Sequence, residues 1–185
     1  KSFGSYNFCA RRNILVEVGG FDIGYRFASG EDNDLSYKIL KAGYKIYFEP
    51  DAVVDHYHPE KVLGYLKSQF RHGFWRAKMY KEHPEMAKGD DYTFWKDMVE
   101  VPLVMVSLLF IPGYFTHFPW LTFPGYATFC SLFLLEFFYA FRVIEDFSYV
   151  PFWGSVTTLR AYARTLGFLF GLVEFFLPKA SKKSK

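Results

Sequence analysis

From Val101 to Leu135 the chain runs for 35 residues without Asp, Glu, Lys or Arg. A single membrane-spanning helix needs roughly 20 apolar residues, so the run is long for one span and short for two, and its apolar flanks extend it on both sides. Pro112-Gly113, Pro119 and Pro124-Gly125 crowd its middle. The pattern predicts a transmembrane hairpin within 98–143, with helices over 98–116 and 124–143 joined by a Pro-rich turn and with His117 and Trp120 near the interface. A buried soluble hairpin is the alternative, disfavoured because the run is phenylalanine-rich all round.

Charge divides the chain in the same place. Residues 1–97 hold 29 of the 41 charged residues, whereas 98–178 hold 8 of them together with 22 of the 41 aromatics. Such a split excludes one homogeneous soluble domain and a disordered chain. A net charge of only +3, not massed on one segment, excludes a basic nucleic-acid-binding module, so no nucleic-acid partner is expected. Cys9 and Cys130 stand alone, one in each half, with no pairing pattern, which fits a cytosolic first half. The first residues, KSFGSYNFC, read as the interior of a domain, with no signal peptide.

Beyond the hairpin, a helix over about 155–177 places Arg160, Arg164, Gly167, Gly171 and Glu174 on one face. That stripe suits an interfacial or re-entrant helix within 144–178 better than a lipid-exposed span. The basic tail 179–185 carries four lysines, which places the C-terminus in the cytoplasm. A cytosolic first half then requires an even number of crossings. The expected topology is a multi-pass protein of the cell membrane with two spans, its catalytic part and tail cytoplasmic; three spans would put the tail outside.

In the charged half, Arg11–Val18 reads as a helix closed by Gly19-Gly20. Glu31–Ala42 reads as a second, with acids in its first turn, Lys38 and Lys41 in its last, and Gly43 as the stop. Tyr44–Phe48 and Ala52–Val54 are strand candidates. Pro59 opens a helix over about 60–80, and 81–97 is a polar linker.

Two constellations carry chemistry. Glu31-Asp32 sits where a helix N-terminus offers free N–H groups that keep a carboxylate ionised; as a bare pattern, such acids are more often caps than catalysts. Asp55-His56-Tyr57-His58 puts two alternating histidines on one side of an extended segment. That arrangement suits one ligand of a divalent metal or a surface pair held by Asp55. No complete ligand set is visible there.

These elements occur together in GSYNFCARRNILVEVGGFDIGYRFASGEDNDLSYKILKAGYKIYFEPDAVVDHYHP. The ordered set resembles the C-terminal half of the catalytic domain of family-2 glycosyltransferases, enzymes of GT-A fold that use nucleotide-diphospho-sugars, over about residues 1–80. The resemblance implies an α/β fold in that part, followed by an α-helical membrane region. It gives Asp32 the role of catalytic base, Glu31 a place beside it in the acceptor site, and Asp34 a supporting position on the same helix. Asn7, Arg11 and Arg12 match the family's donor and acceptor segment. His56, 24 residues after Asp32, matches a histidine that helps hold Mg²⁺ or Mn²⁺, with His58 the lesser choice. Gln69 and Arg71 carry a partial acceptor-binding pattern, but the full Q-x-x-R-W signature of processive synthases is missing, which favours non-processive transfer.

The expected activity is therefore inverting transfer from a nucleotide-diphospho-sugar to a hydroxyl acceptor, a sugar or a lipid-linked one, at the membrane. The strands and aspartate pair that cradle the nucleotide should precede Lys1, so the chain alone is expected to be an inactive fragment. A non-catalytic membrane-anchored scaffold with a degenerate glycosyltransferase-like domain is the competing reading. A metal-dependent hydrolase built on Asp55, His56 and His58 is a third.

Overall fold

The computed structural model describes residues 3–27, 29–88, 95–111, 115 and 118–177. Six α-helices follow in order among them: α1 (Arg12–Glu17), α2 (Glu31–Lys41), α3 (Val62–Glu82), α4 (Trp95–Leu109), α5 (Pro119–Val143) and α6 (Val150–Phe176). Short 3-10 turns, Pro84–Lys88 and Phe147–Tyr149, follow α3 and precede α6.

The expected α/β fold is corrected by this architecture, because no strand or sheet forms among the described residues. Residues 44–60 do run without helix, as the strand candidates require, but a strand is held by ladder bonds to a neighbour, and among the described residues no such ladder forms. Tyr47 and Phe48 are 83% and 90% exposed as a result.

α2 forms where its sequence polarity indicates. Glu31, Asp32 and Asp34 fill the first turn, and Lys38 and Lys41 the last, each sign meeting the opposite end of the helix dipole. Gly30 at the N-cap takes φ of 95°, a left-handed conformation that side-chain-bearing residues avoid. At the other end Gly43 has φ of 87°, and the bond from Tyr44 N–H to Ile39 O closes a glycine stop.

The expected membrane topology draws only partial support. α4 has 15 described residues, about 22 Å at 1.5 Å per residue, which is shorter than the hydrocarbon core of a bilayer. Among the described residues, only Thr122–Val143, within α5, is long and apolar enough to cross a membrane. α5 starts five residues before the expected 124 because Pro119 fits the first helical position, where its missing N–H costs nothing. The helix α6 has the length of a span, but Arg160, Arg164 and Glu174 interrupt its apolar character. The multi-pass, cytoplasmically oriented arrangement is therefore unsupported. Pro112-Gly113, His117 and the lysine tail lie outside the described residues.

α3 and α6 pack backbone to backbone. A Cβ built on Gly73 of α3 falls 1.9 Å from the Arg164 carbonyl oxygen, and one on Gly167 of α6 falls 2.0 Å from that of Phe70. Gly171 repeats the contact one turn on, 2.4 Å from the Phe74 oxygen. Small residues in register let two helices approach closely, and here neither backbone has room for a methyl group. Gly167→Ala should therefore destabilise the protein by about 1–3 kcal/mol, although alanine is the better helix former. Gly64→Ala is the control. Its Cβ would make only ordinary contact with Pro59, so it should be neutral or raise the melting temperature. A melting temperature for Gly167→Ala at or above wild type would remove the close-packing account.

Candidate active site

The site is built on the two sides of α3. On one side, Phe70, Gly73, Phe74 and Ala77 meet α6, with Phe70 and Phe170 rings 5.8 Å apart. On the other, positions 72, 75, 78 and 82 hold the loop 21–30 that leads into α2. Lys78 pairs with Asp22 and stands 3.9 Å over the Tyr25 ring; Tyr25 packs on Trp75 at 5.3 Å and donates to Glu82 at 3.3 Å. The Lys78 ammonium, with help from the Gly24 N–H, holds the Asp22 carboxyl below the usual carboxylate range.

At the head of α2, the Ser29 N–H donates to Glu31 Oε2 at 2.6 Å and the Asn33 N–H to Asp32 Oδ1 at 2.9 Å. Asp32 is half-buried and lies at the N-terminal, positive end of the helix dipole. Asp34 is different. It is 1% exposed, ion-paired with Lys38 at 2.7 Å and bonded to His83 Nε2 at 2.7 Å, which makes it an anchor between α2 and the end of α3.

His72 of α3 also faces this turn. Its Nδ1 lies 2.8 Å from Ser29 Oγ and its Nε2 3.2 Å from Ser68 Oγ. Desolvation against the loop, followed by the nearby charges of Arg164, Arg76 and Arg71, pushes its pKa down to about 4. An unfolded histidine takes up its proton near 6.5, so the unfolded state binds more protons between there and 4. This group's contribution is thus fully present above pH 6.5 and is lost as the pH falls toward 4. An NMR titration should find the His72 ring turning over near 4; a midpoint near 6.5 would contradict the environment described.

The other expected site residues are dispersed. Asn7 Nδ2 donates to the Ala52 carbonyl at 2.6 Å, and Arg11 and Arg12 lie exposed at the start of α1. Exposed His56 stacks on Tyr6 at 4.8 Å and meets the His58 ring edge-on at 4.9 Å. Asn7 and Tyr6 thus link the start of the chain to the histidine segment, while the Phe3 N–H reaches Ser36 of α2 at 3.2 Å. Gln69 does not face solvent: Arg164 Nη2 and Nε donate to its Oε1 at 2.7 and 3.2 Å. Arg71 is exposed, 5.8 Å from the Phe27 ring, and lines an open hollow of about 350 Å³ with Phe27, Lys67 and Phe70.

One converging ligand group was missed from the sequence. Asp34, Glu82 and His83 offer three donor atoms within 4.8 Å of one another, an arrangement that a divalent cation would accept. Lys38 on Asp34 and Lys78 on Glu82 already balance its carboxylates. His56 belongs to no such group among the described residues. Asp34 and His83 lie 49 positions apart, so only their acid and imidazole chemistry marks them in the sequence.

Behind α3 lies a second charged cluster, at the junction of the helical bundle. Lys96 and Glu100 of α4, Glu136 of α5 and Arg160 of α6 are all buried or nearly so. Lys96 Nζ reaches Glu136 at 2.7 Å and Glu100 at 2.8 Å, and Arg160 pairs with Glu100. Arg164 bridges Asp97 of α4, at 2.7 Å, to Gln69 of α3.

A glycine-wedged turn with two acids at a helix head is thus clamped to a helix that itself packs on an apolar bundle. Residues 3–74 match the family model described as glycosyltransferase like family 2. Three curated relatives agree. A pre-mycofactocin glycosyltransferase of Mycobacterium tuberculosis is 32% identical over 75 residues, 40% of this chain and 16% of the relative. The succinoglycan biosynthesis protein ExoA of Rhizobium meliloti is 32% identical over 76 residues, 41% of the chain and 22% of the relative. A probable glycosyltransferase of Bacillus subtilis, YdaM, is 25% identical over 148 residues, 80% of the chain and 31% of the relative, so its likeness extends into the helical bundle. The chain therefore spans between about a sixth and a third of the length of these relatives. No solved structure matches.

Proposed function

We propose that the protein carrying this chain is a membrane-associated glycosyltransferase that moves a sugar from a nucleotide-diphospho-sugar to a hydroxyl acceptor with inversion at the anomeric carbon. The observation that carries the reading is the family match over 3–74 with Asp32 at the head of α2. Asp32 takes the proton of the acceptor hydroxyl as its oxygen attacks, and Glu31, fixed by the Ser29 N–H, orients the acceptor beside it. Asn7, Arg11 and Arg12 flank the donor side, and Arg71 with Lys67 faces the acceptor.

A divalent cation, Mg²⁺ or Mn²⁺, supplies charge neutralisation for the departing diphosphate. His56 is the donor this chain offers it: its ring is exposed, and stacking on Tyr6 fixes its plane. Membrane association draws support from the apolar span within α5 and from its exposed Phe123, Phe129, Leu134, Phe138 and Phe141. An apolar bundle beside the hollow at Phe27 and Phe70 favours a lipid-linked acceptor over a soluble sugar.

The test uses the full-length protein in detergent or membranes with radiolabelled nucleotide-diphospho-sugars. Transfer should require the cation, stop on chelation and resume on adding Mg²⁺ or Mn²⁺, with an inverted anomer in the product. Cation-independent transfer would remove His56 from the reading, and a retained anomer would remove the single displacement. Absence of transfer from every nucleotide-sugar offered would favour the scaffold.

A further inference from the structure

The turn that delivers Glu31 and Asp32 has few bonds of its own. Gly30 sits left-handed in a slot where a Cβ would come 3.3 Å from the Tyr25 ring and 3.5 Å from the Trp75 side chain. Ser29, 5% exposed, carries the polar contact that ties this turn to α3, and the atom that receives it is His72 Nδ1 at 2.8 Å. The other ring nitrogen is held by Ser68, one turn earlier on α3, at 3.2 Å. A hydroxyl both donates and accepts, so a neutral imidazole with one N–H satisfies both serines in either tautomer. Ser29 in turn fixes Glu31 through its backbone N–H.

We propose that His72 is a positioning residue of this site: held between Ser68 and Ser29, it locks the Ser29-Gly30 turn onto α3 and so sets the direction in which Glu31 and Asp32 are presented. Other anchors of the loop, Lys78 on Asp22 and Trp75 against Tyr25, lie toward its start. Without His72, the described residues just before the acids keep Gly30's packing and Arg71 over the Phe27 ring, neither of which is a hydrogen bond. Because α3 is seated on α6 through Gly73 and Gly167, the lock carries the rigidity of the bundle to the head of α2. Displacing a reacting group by about 1 Å costs up to about 10²-fold in rate. The catalytic consequence rests on Asp32 acting as the base, whereas the anchoring itself does not.

The experiment compares His72→Phe, His72→Gln and Ser29→Ala in the full-length protein by steady-state kinetics and by amide hydrogen exchange over 29–34. His72 lies at the surface of α3, so these variants should keep the fold. In His72→Phe and in Ser29→Ala, kcat should fall by about 10- to 10²-fold with the donor KM unchanged. Exchange over 29–34 should quicken about fivefold, as expected for one lost hydrogen bond. The double variant should be no worse than either single one. His72→Gln, which keeps a donor and an acceptor at similar reach, should recover most of both effects. Unchanged exchange over 29–34 in His72→Phe would overturn the anchoring, and a raised KM at constant kcat would make His72 a binding group instead. Should wild type show no transfer, the proposed function falls, and faster exchange in the variants still establishes the anchor.

Discussion

Arg160→Met should destabilise the protein by about 3–5 kcal/mol, the cost of leaving buried charge without its partner. Around Arg160 stand three carboxylates, Asp97, Glu100 and Glu136, and two further cations, Lys96 and Arg164, so the six charges balance. Glu100 and Glu136 are 1% and 0% exposed, and with Arg160 gone they share Lys96 as their remaining cation. Adding Glu100→Gln restores the balance, since the amide still accepts from Lys96 and can donate to Glu136. The double variant should therefore regain most of the lost stability, a coupling that additive effects would not produce. Thermal unfolding in detergent reads it. A single variant as stable as wild type, or a double variant as unstable as the sum of its parts, would show that the cluster is not organised around Arg160.

That cluster matters to the site because of where it leads. Arg164, one turn beyond Arg160, spans from Asp97 of α4 to Gln69 of α3, and α3 bears the loop that carries Glu31 and Asp32. The polar network and the glycine seam together fix α3 on its bundle side. Arg160 and Arg164 of α6 are thereby explained as contacts within the protein, and Gln69 as a partner of Arg164.

The parts of this arrangement that were legible in the sequence are those coded locally. The acid-first, lysine-last pattern of 31–41 with Gly43 behind it marks α2 to within a residue, and Arg160, Arg164, Gly167 and Gly171 fall on one face of α6 by spacing alone. What that face meets was not legible. Gly73 lies 94 positions before Gly167, and nothing near either marks the other as its counterpart. Glu136 likewise ends an apolar run, and its partners Lys96, Glu100 and Arg160 lie in two other helices. The α/β expectation failed because alternation in Tyr44–Phe48 signals only that the backbone tends to extend; a sheet also needs a paired strand. Ser29 and His72, 43 residues apart, were hidden in the same way, since neither belongs to a motif.

The second large effect falls on the chemistry. Asp32 has its Oδ1 on the Asn33 N–H and sits at the positive end of α2, so an asparagine there keeps the size and the hydrogen bond but cannot take a proton. General-base help is worth about 10²–10⁴ in rate. Asp34, by contrast, is engaged by Lys38 and His83, so Asp34→Asn should lower the melting temperature more than it lowers kcat. The measurement that tests the account most directly is single-turnover sugar transfer by the full-length Asp32→Asn protein, with donor binding followed by calorimetry. The account predicts a fall in transfer of about 10²–10⁴ with donor affinity unchanged; transfer within a few-fold of wild type would contradict it.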